Sequence, residues 1–150
     1  MKKITVSAYD PAWPKQFECE RQKILGALGD HAIEVYHVGS TSVPNLAAKA
    51  KLDIIAEVHD IRQTVVPLSL VGYQYRGEWN IPGKYGFTKR GVLNVNLHVF
   101  PENHPEIKCN VMFRDCLREN PDIRDAYAHL KQQLLQDPKM MISNHLGQVE

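Results

Sequence analysis

The residues best equipped for chemistry lie in His37-Val38-Gly39-Ser40-Thr41-Ser42-Val43-Pro44 and in the Leu52-Asp53-Ile54-Ile55 run that follows. A Gly-Ser turn after an apolar strand offers backbone N–H groups and hydroxyls to a phosphate. Gly39, Ser40, Thr41 and Ser42 are therefore the candidate phosphate binders. A carboxylate on the next strand, Asp53, can hold a divalent cation beside that phosphate. Ser40 and Asp53 are the candidate catalytic pair. Lys49 and Lys51 precede Asp53 and could stabilise phosphate charge, as could Arg114.

Each candidate has a structural alternative. Gly-Ser alone is a common turn. Asp53 in an apolar strand needs a partner, which is a metal or a salt bridge to Lys51, Lys49 or an arginine. His37 suits a structural role. Arg114 and Arg118 lie four apart and share a helix face, toward a triphosphate or toward Asp115, Glu119 and Asp122. Arg76, Lys84, Lys89 and Arg90 form either a substrate rim or, preferably, a solvated surface. Trp79 either stacks on a base or covers the core.

The elements that must position these groups follow from periodicity. Ile4 to Ser7 is a short strand. Trp13, Phe17, Ile24 and Leu28 mark the buried face of a helix that ends at Gly29-Asp30. Ile33 to Val38 and Lys51 to Val58 are strands. In the second, Leu52, Ile54, Ala56 and Val58 oppose Lys51, Asp53, Ile55 and Glu57, because side chains alternate. Ile61 to Leu70 reads as a helix that Pro67 must cut or kink. Gly72 to Arg76 is a strand after a turn.

Tyr85 to Lys89 and Leu93 to Phe100 flank Arg90-Gly91 as a hairpin. The second arm has an apolar face (Leu93, Val95, Leu97, Val99) and a polar one (Asn94, Asn96, His98). Glu106 to Arg118 is a helix. Asn120-Pro121-Asp122 then opens another, with Ile123, Tyr127, Leu130 and Leu134 as its buried stripe. Ile142, Leu146 and Val149 hint at a last helix. The order predicts an α/β (α+β) fold: a mixed sheet with flanking helices and a helical C-terminal part.

The 150 residues suit one domain. A formal net charge of +1 gives no strong nucleic-acid signal. No apolar run approaches the ~20 residues that span a membrane, and the start lacks a signal peptide's apolar region. The three cysteines, Cys19, Cys109 and Cys116, show no C-x-x-C spacing, so neither a disulfide framework nor a zinc finger is expected. A reducing cytoplasm is the simplest compartment.

YDPAWPKQF, HVGSTSVPNLAAK, LDI, NVNLHVF and FRDCLRENPDIRDAYAHLKQQL, in this order over roughly residues 6 to 135, resemble the GrpB family. That family is similar to the DNA polymerase β-like nucleotidyltransferases, and in some bacteria its domain is fused to dephospho-CoA kinase. The resemblance implies a nucleotidyltransferase-like mixed sheet. It implies a Gly-Ser turn, then a carboxylate-x-carboxylate pair, then a third carboxylate on a neighbouring strand. Such acids hold two Mg²⁺ ions that clamp an in-line displacement.

Here the pattern is incomplete. The neighbours two away from Asp53 are Lys51 and Ile55, so the pair is broken. Glu57 shares the face but lies about 13 Å along the strand at ~3.3 Å per residue. The third position is matched by His98, a better ligand for Zn²⁺ or Mn²⁺ than for Mg²⁺. Three readings stay open. One is a transferase using one metal or a different one. Another is a degenerate module that binds a nucleotide or other phosphate ligand. The third is a small transition-metal site of His37, Asp53 and His98. Family members continue past Leu135 with a further helix. A chain stopping at Glu150 would lack it, with a partner chain, such as a homodimer's, as a substitute cover.

Overall fold

The computed structural model describes residues 6–78 and 83–136. Trp79 and the expected last helix lie outside them. The element order is α1 (Trp13–Leu28), β1 (Ala32–Val38), β2 (Leu52–Val58), α2 (Val65–Ser69), β3 (Gln74–Glu78), β4 (Tyr85–Lys89), β5 (Val95–Pro101), α3 (Pro105–Glu119) and α4 (Pro121–Gln136). The five strands form one sheet in the order β1-β2-β5-β4-β3. Only β2 and β5 run parallel; the other neighbours are antiparallel. This is the mixed α+β fold expected.

Strand β2 is buried along its whole length, because it is central and covered on both faces. On one face Leu52, Ile54, Ala56 and Val58 join Val95, Leu97 and Val99 of β5, beneath Trp13, Ile24 and Leu28 of α1. On the other, Ile55 packs with Val38, Phe100 and Ile107 of α3. The second face also carries Asp53 and Glu57. Glu57 accepts from the Tyr36 hydroxyl at 3.1 Å and from the Asn103 amide at 3.0 Å. It thereby anchors the turn between β5 and α3, far from Asp53.

Several local expectations change. Of the Ile4–Ser7 strand, Val6 and Ser7 are described, and Ser7 forms a single antiparallel bridge to Ala48. The Ile61–Leu70 helix divides into a short 3-10 turn, Ile61–Gln63, and α2. Pro67 falls in the first turn of α2, where its missing N–H costs no helical bond, so it neither cuts nor kinks. The Asn120 side chain turns back toward α3 instead of capping α4: Nδ2 donates to the Cys116 carbonyl at 2.8 Å, at the corner between the two helices.

The expected stripe on α4 is also rotated. Ile123 and Leu130 are 48% and 54% exposed, whereas Lys131 is buried. The inward side carries Tyr127 and Ala128, which pack on Val43, Leu46 and Leu117. Lys131 lies one turn after Tyr127 on that same side. This rotation brings a lysine from the far end of the chain to the Gly39–Ser42 segment. All three cysteines are free and exposed.

Candidate functional site

Strand β1 ends at Val38, and the chain reverses through Gly39 into the short 3-10 turn Ser40–Ser42. Gly39 has φ +73°, a left-handed conformation that suits glycine. Register explains why no side chain is tolerated there. Val38 lies opposite Asp53, so the turn passes directly over the Asp53 carboxylate. A Cβ on Gly39 would stand 2.7 Å from Asp53 Oδ2.

The three hydroxyls of the turn are buried and engaged. Ser42 Oγ donates to the Gly39 carbonyl. Thr41 Oγ1 bonds His37 Nε2 at 3.0 Å. Ser40 Oγ accepts from Lys131 Nζ at 2.9 Å, which leaves the Ser40 O–H as a donor beside an ammonium.

Asp53 lies between a lysine and a histidine. Its Oδ1 is 3.8 Å from Lys51 Nζ and 3.8 Å from His98 Nε2. His98 is brought there by the parallel β2–β5 register, which pairs it with Ile55, two residues on from Asp53 and on the same face. Lys84, just before β4, is buried as well. Burial holds its ammonium below the usual lysine range, and the carboxylates of Glu106 and Asp53 pull the other way. The expectation that Lys84 belongs to a solvated surface is therefore corrected. So is that for Lys89, which pairs at 2.9 Å with the buried Glu20 of α1.

The remaining candidates separate. Lys49 is half-buried in the loop before β2, and its carbonyl accepts from the Lys51 amide at 2.7 Å. His37 lies opposite Ile54, so it sits on the other face of the sheet from Asp53 and His98. There it stacks on Phe17, ring centroids 4.7 Å apart. Burial, and then the nearby Arg118, lower its pKa to about 4, so the ring is neutral at pH 7. The three-ligand arrangement His37, Asp53 and His98 does not converge. Among the described residues no group of three or more His, Cys, Asp or Glu is placed to hold a metal. Two donors do fit an ion: ligands each ~2.1 Å from a metal stand at most about 4.2 Å apart, and Asp53 Oδ1 and His98 Nε2 meet that limit at 3.8 Å.

Arg114 and Arg118 support the turn from behind. Arg114 donates to the His37 carbonyl at 3.1 Å and pairs with Asp115 at 2.9 Å. Arg118 donates through Nε to the Ser42 carbonyl at 2.8 Å. Sequence reasoning missed Lys131 and placed Lys84 on the surface. The one available signal for Lys131 was its i+4 spacing from Tyr127.

A family model described as GrpB protein matches residues 3–145. The chain belongs to the GrpB family. A UPF0157 protein of Halalkalibacterium halodurans is 43% identical to this GrpB chain, over 89% of it and 70% of the relative. The first curated relatives differ in length, and this chain spans 70%, 40% and 72% of them. The crystal structure of the conserved protein GrpB from Enterococcus faecalis superposes with a TM-score of 0.83 at 35% identity, covering 97% of this chain and 94% of that one. The Cid1 poly(U) polymerase superposes with a TM-score of 0.57 at 10% identity, over 84% of this chain and 41% of that one. At that identity the likeness speaks for the fold alone: GrpB has a nucleotidyltransferase-like fold. No described helix is long and apolar enough to cross a membrane.

Proposed function

We propose that this GrpB chain binds a nucleotide or another phosphate-containing ligand at the Gly39–Ser42 turn. The observation that carries the reading is the Lys131–Ser40 contact. A buried ammonium from α4 is fixed at 2.9 Å from the first hydroxyl of the turn. Lys51 and Lys84 add positive charge around Asp53. Dianionic phosphate placed there gains charge-assisted hydrogen bonds in a site largely screened from water. Ser40 donates its hydroxyl proton to a phosphate oxygen, Lys131 and Lys51 neutralise charge, and Asp53 keeps Lys51 and His98 in place.

A second reading has its own support. Asp53 and His98 lie close enough to share one divalent cation, Mg²⁺ or Mn²⁺, with Zn²⁺ as the alternative. Such an ion would act as a Lewis acid on a bound phosphate. In that case an acceptor hydroxyl would displace pyrophosphate from the α-phosphorus of a nucleoside triphosphate held by Ser40 and Lys131, its proton passing to water.

Thermal shift and pyrophosphate release, measured together with each nucleoside triphosphate, test both readings. Stabilisation that persists with chelator and disappears in Lys131→Met supports the binding reading. Pyrophosphate release that needs a metal and Asp53 supports the transferase reading. A chain that no nucleotide or pyrophosphate stabilises refutes both.

A further inference from the structure

Strand β1 is an edge of the sheet. Beside its open edge, between α1 and α3, lies a cleft of about 320 Å³. Asp53 and Ser40 are not among its lining residues, and of the Gly39–Ser42 turn it touches Ser42. Its volume is near the lower end for ligand sites and equals about ten waters' share of liquid. One wall is aromatic, Phe17 stacked on the neutral ring of His37, while Tyr36, on the other face of β1, lines the α3 side of the cleft. The opposite wall is formed by Arg114 and Arg118 of α3.

The two guanidiniums differ. Arg114 spends Nε and one terminal nitrogen on Asp115 and the other on the His37 carbonyl. Arg118 spends Nε on the Ser42 carbonyl and, among the described residues, makes no ion pair. Its anchored Nε fixes the plane of the fork. Its two terminal N–H₂ groups then form a parallel donor pair of the kind that takes an oxyanion bidentately. The third arginine at the cleft, Arg21, is already neutralised by Glu34 at 2.9 Å.

We propose that the β1-edge cleft is a second ligand site, taking a small aromatic oxyanion whose carboxylate or phosphate sits on the Arg118 fork and whose ring lies along the Phe17–His37 wall. The aromatic wall supplies apolar area without a competing charge, since His37 is neutral. The adjacent Arg114 adds a second positive field across the anion. Arg118 also holds the Ser42 carbonyl, so ligand and turn share one side chain. Occupancy of the cleft is thereby linked to the turn, and the linkage runs both ways.

Amide chemical-shift titration with phenyl phosphate, benzoate and inorganic phosphate tests this. The expected result is saturable binding of a ring-bearing anion, with shifts centred on Phe17, Tyr36, His37 and Arg118. Its affinity should exceed that of inorganic phosphate by about tenfold, the worth of ~1.4 kcal/mol. The ratio of benzoate to phenyl phosphate identifies which oxyanion the fork prefers. Arg118→Gln should weaken binding about tenfold or more, and Arg118→Lys, which keeps the charge but not the fork, should fall between. Lys131→Met, which disables the turn site, should leave cleft binding intact. The proposal is overturned by shifts confined to the turn and abolished by Lys131→Met. It is equally overturned by affinity that Arg118→Gln leaves unchanged, or by no saturable binding up to about 10 mM, a free energy of only ~2.7 kcal/mol.

Discussion

Gly39 and Asp53 occupy one another's space: the backbone of the first passes so close to the carboxylate of the second that a Cβ would stand 2.7 Å from Oδ2. The turn and the acid are thus one unit, made by the Val38–Asp53 register and a positive φ. Gly39→Ala should destabilise the protein by about 2 kcal/mol, from backbone strain plus the clash. Asp53→Ala removes the clashing oxygen, so Gly39→Ala should cost about 1 kcal/mol less in that background. Urea unfolding of the four proteins in the cycle measures the coupling, and strict additivity would contradict the contact.

His37 makes stability depend on pH. Its folded pKa, lowered to about 4, lies below the ordinary 6.5. Between those values the unfolded chain binds more protons than the folded one, so stability rises with pH through this window. Falling from pH 6.5 to 4 should cost about 3 kcal/mol from this group. In His37→Gln the slope across the window should flatten. Denaturant midpoints measured at half-unit pH intervals would show it, and an unchanged slope would remove His37 as the cause.

Glu20 ties α1 to the far strands. It is buried, and accepts from Tyr73 Oη at 2.7 Å and Lys89 Nζ at 2.9 Å. Burial works against its ionised form, but those two hydrogen bonds, together with the charges of Lys89 and Lys23, outweigh it and leave its pKa below the usual carboxylate range. Glu20→Ala leaves Lys89 and the Tyr73 hydroxyl without their acceptor. It should cost about 3 kcal/mol, while a surface carboxylate such as Glu18 should cost under about 0.5 kcal/mol on removal. Thermal melts of both variants give the comparison.

Much of this architecture was legible in the chain. The alternation in β2 and β5 gave their two faces, and the resemblance to the GrpB family put His98 opposite Asp53, where the two stand 3.8 Å apart. The hairpin of β4 and β5 and the Pro121 helix start followed from turn chemistry and from proline's place in a first helical turn. What could not be read was which side of α4 faces inward. Ile123 and Leu130 advertise a buried stripe, yet it is Lys131 that turns in, because Ser40 offers its ammonium an acceptor. Likewise Lys84 reads as loop surface, and only the tertiary approach of Asp53 and Glu106 makes its burial tolerable. His37 shows the limit of linear proximity. It lies two residues from Gly39 but on the opposite face, one step out of register with Asp53.

The reading of the turn as a phosphate site rests most directly on Lys131. Calorimetric titration of a nucleoside triphosphate and of pyrophosphate, with chelator present, into wild type and Lys131→Met measures it. Wild type should bind both, and the variant should lose about tenfold or more in affinity, the worth of one charge-assisted hydrogen bond in a buried site. Equal affinity in the two proteins, or no heat of binding in wild type, would contradict it.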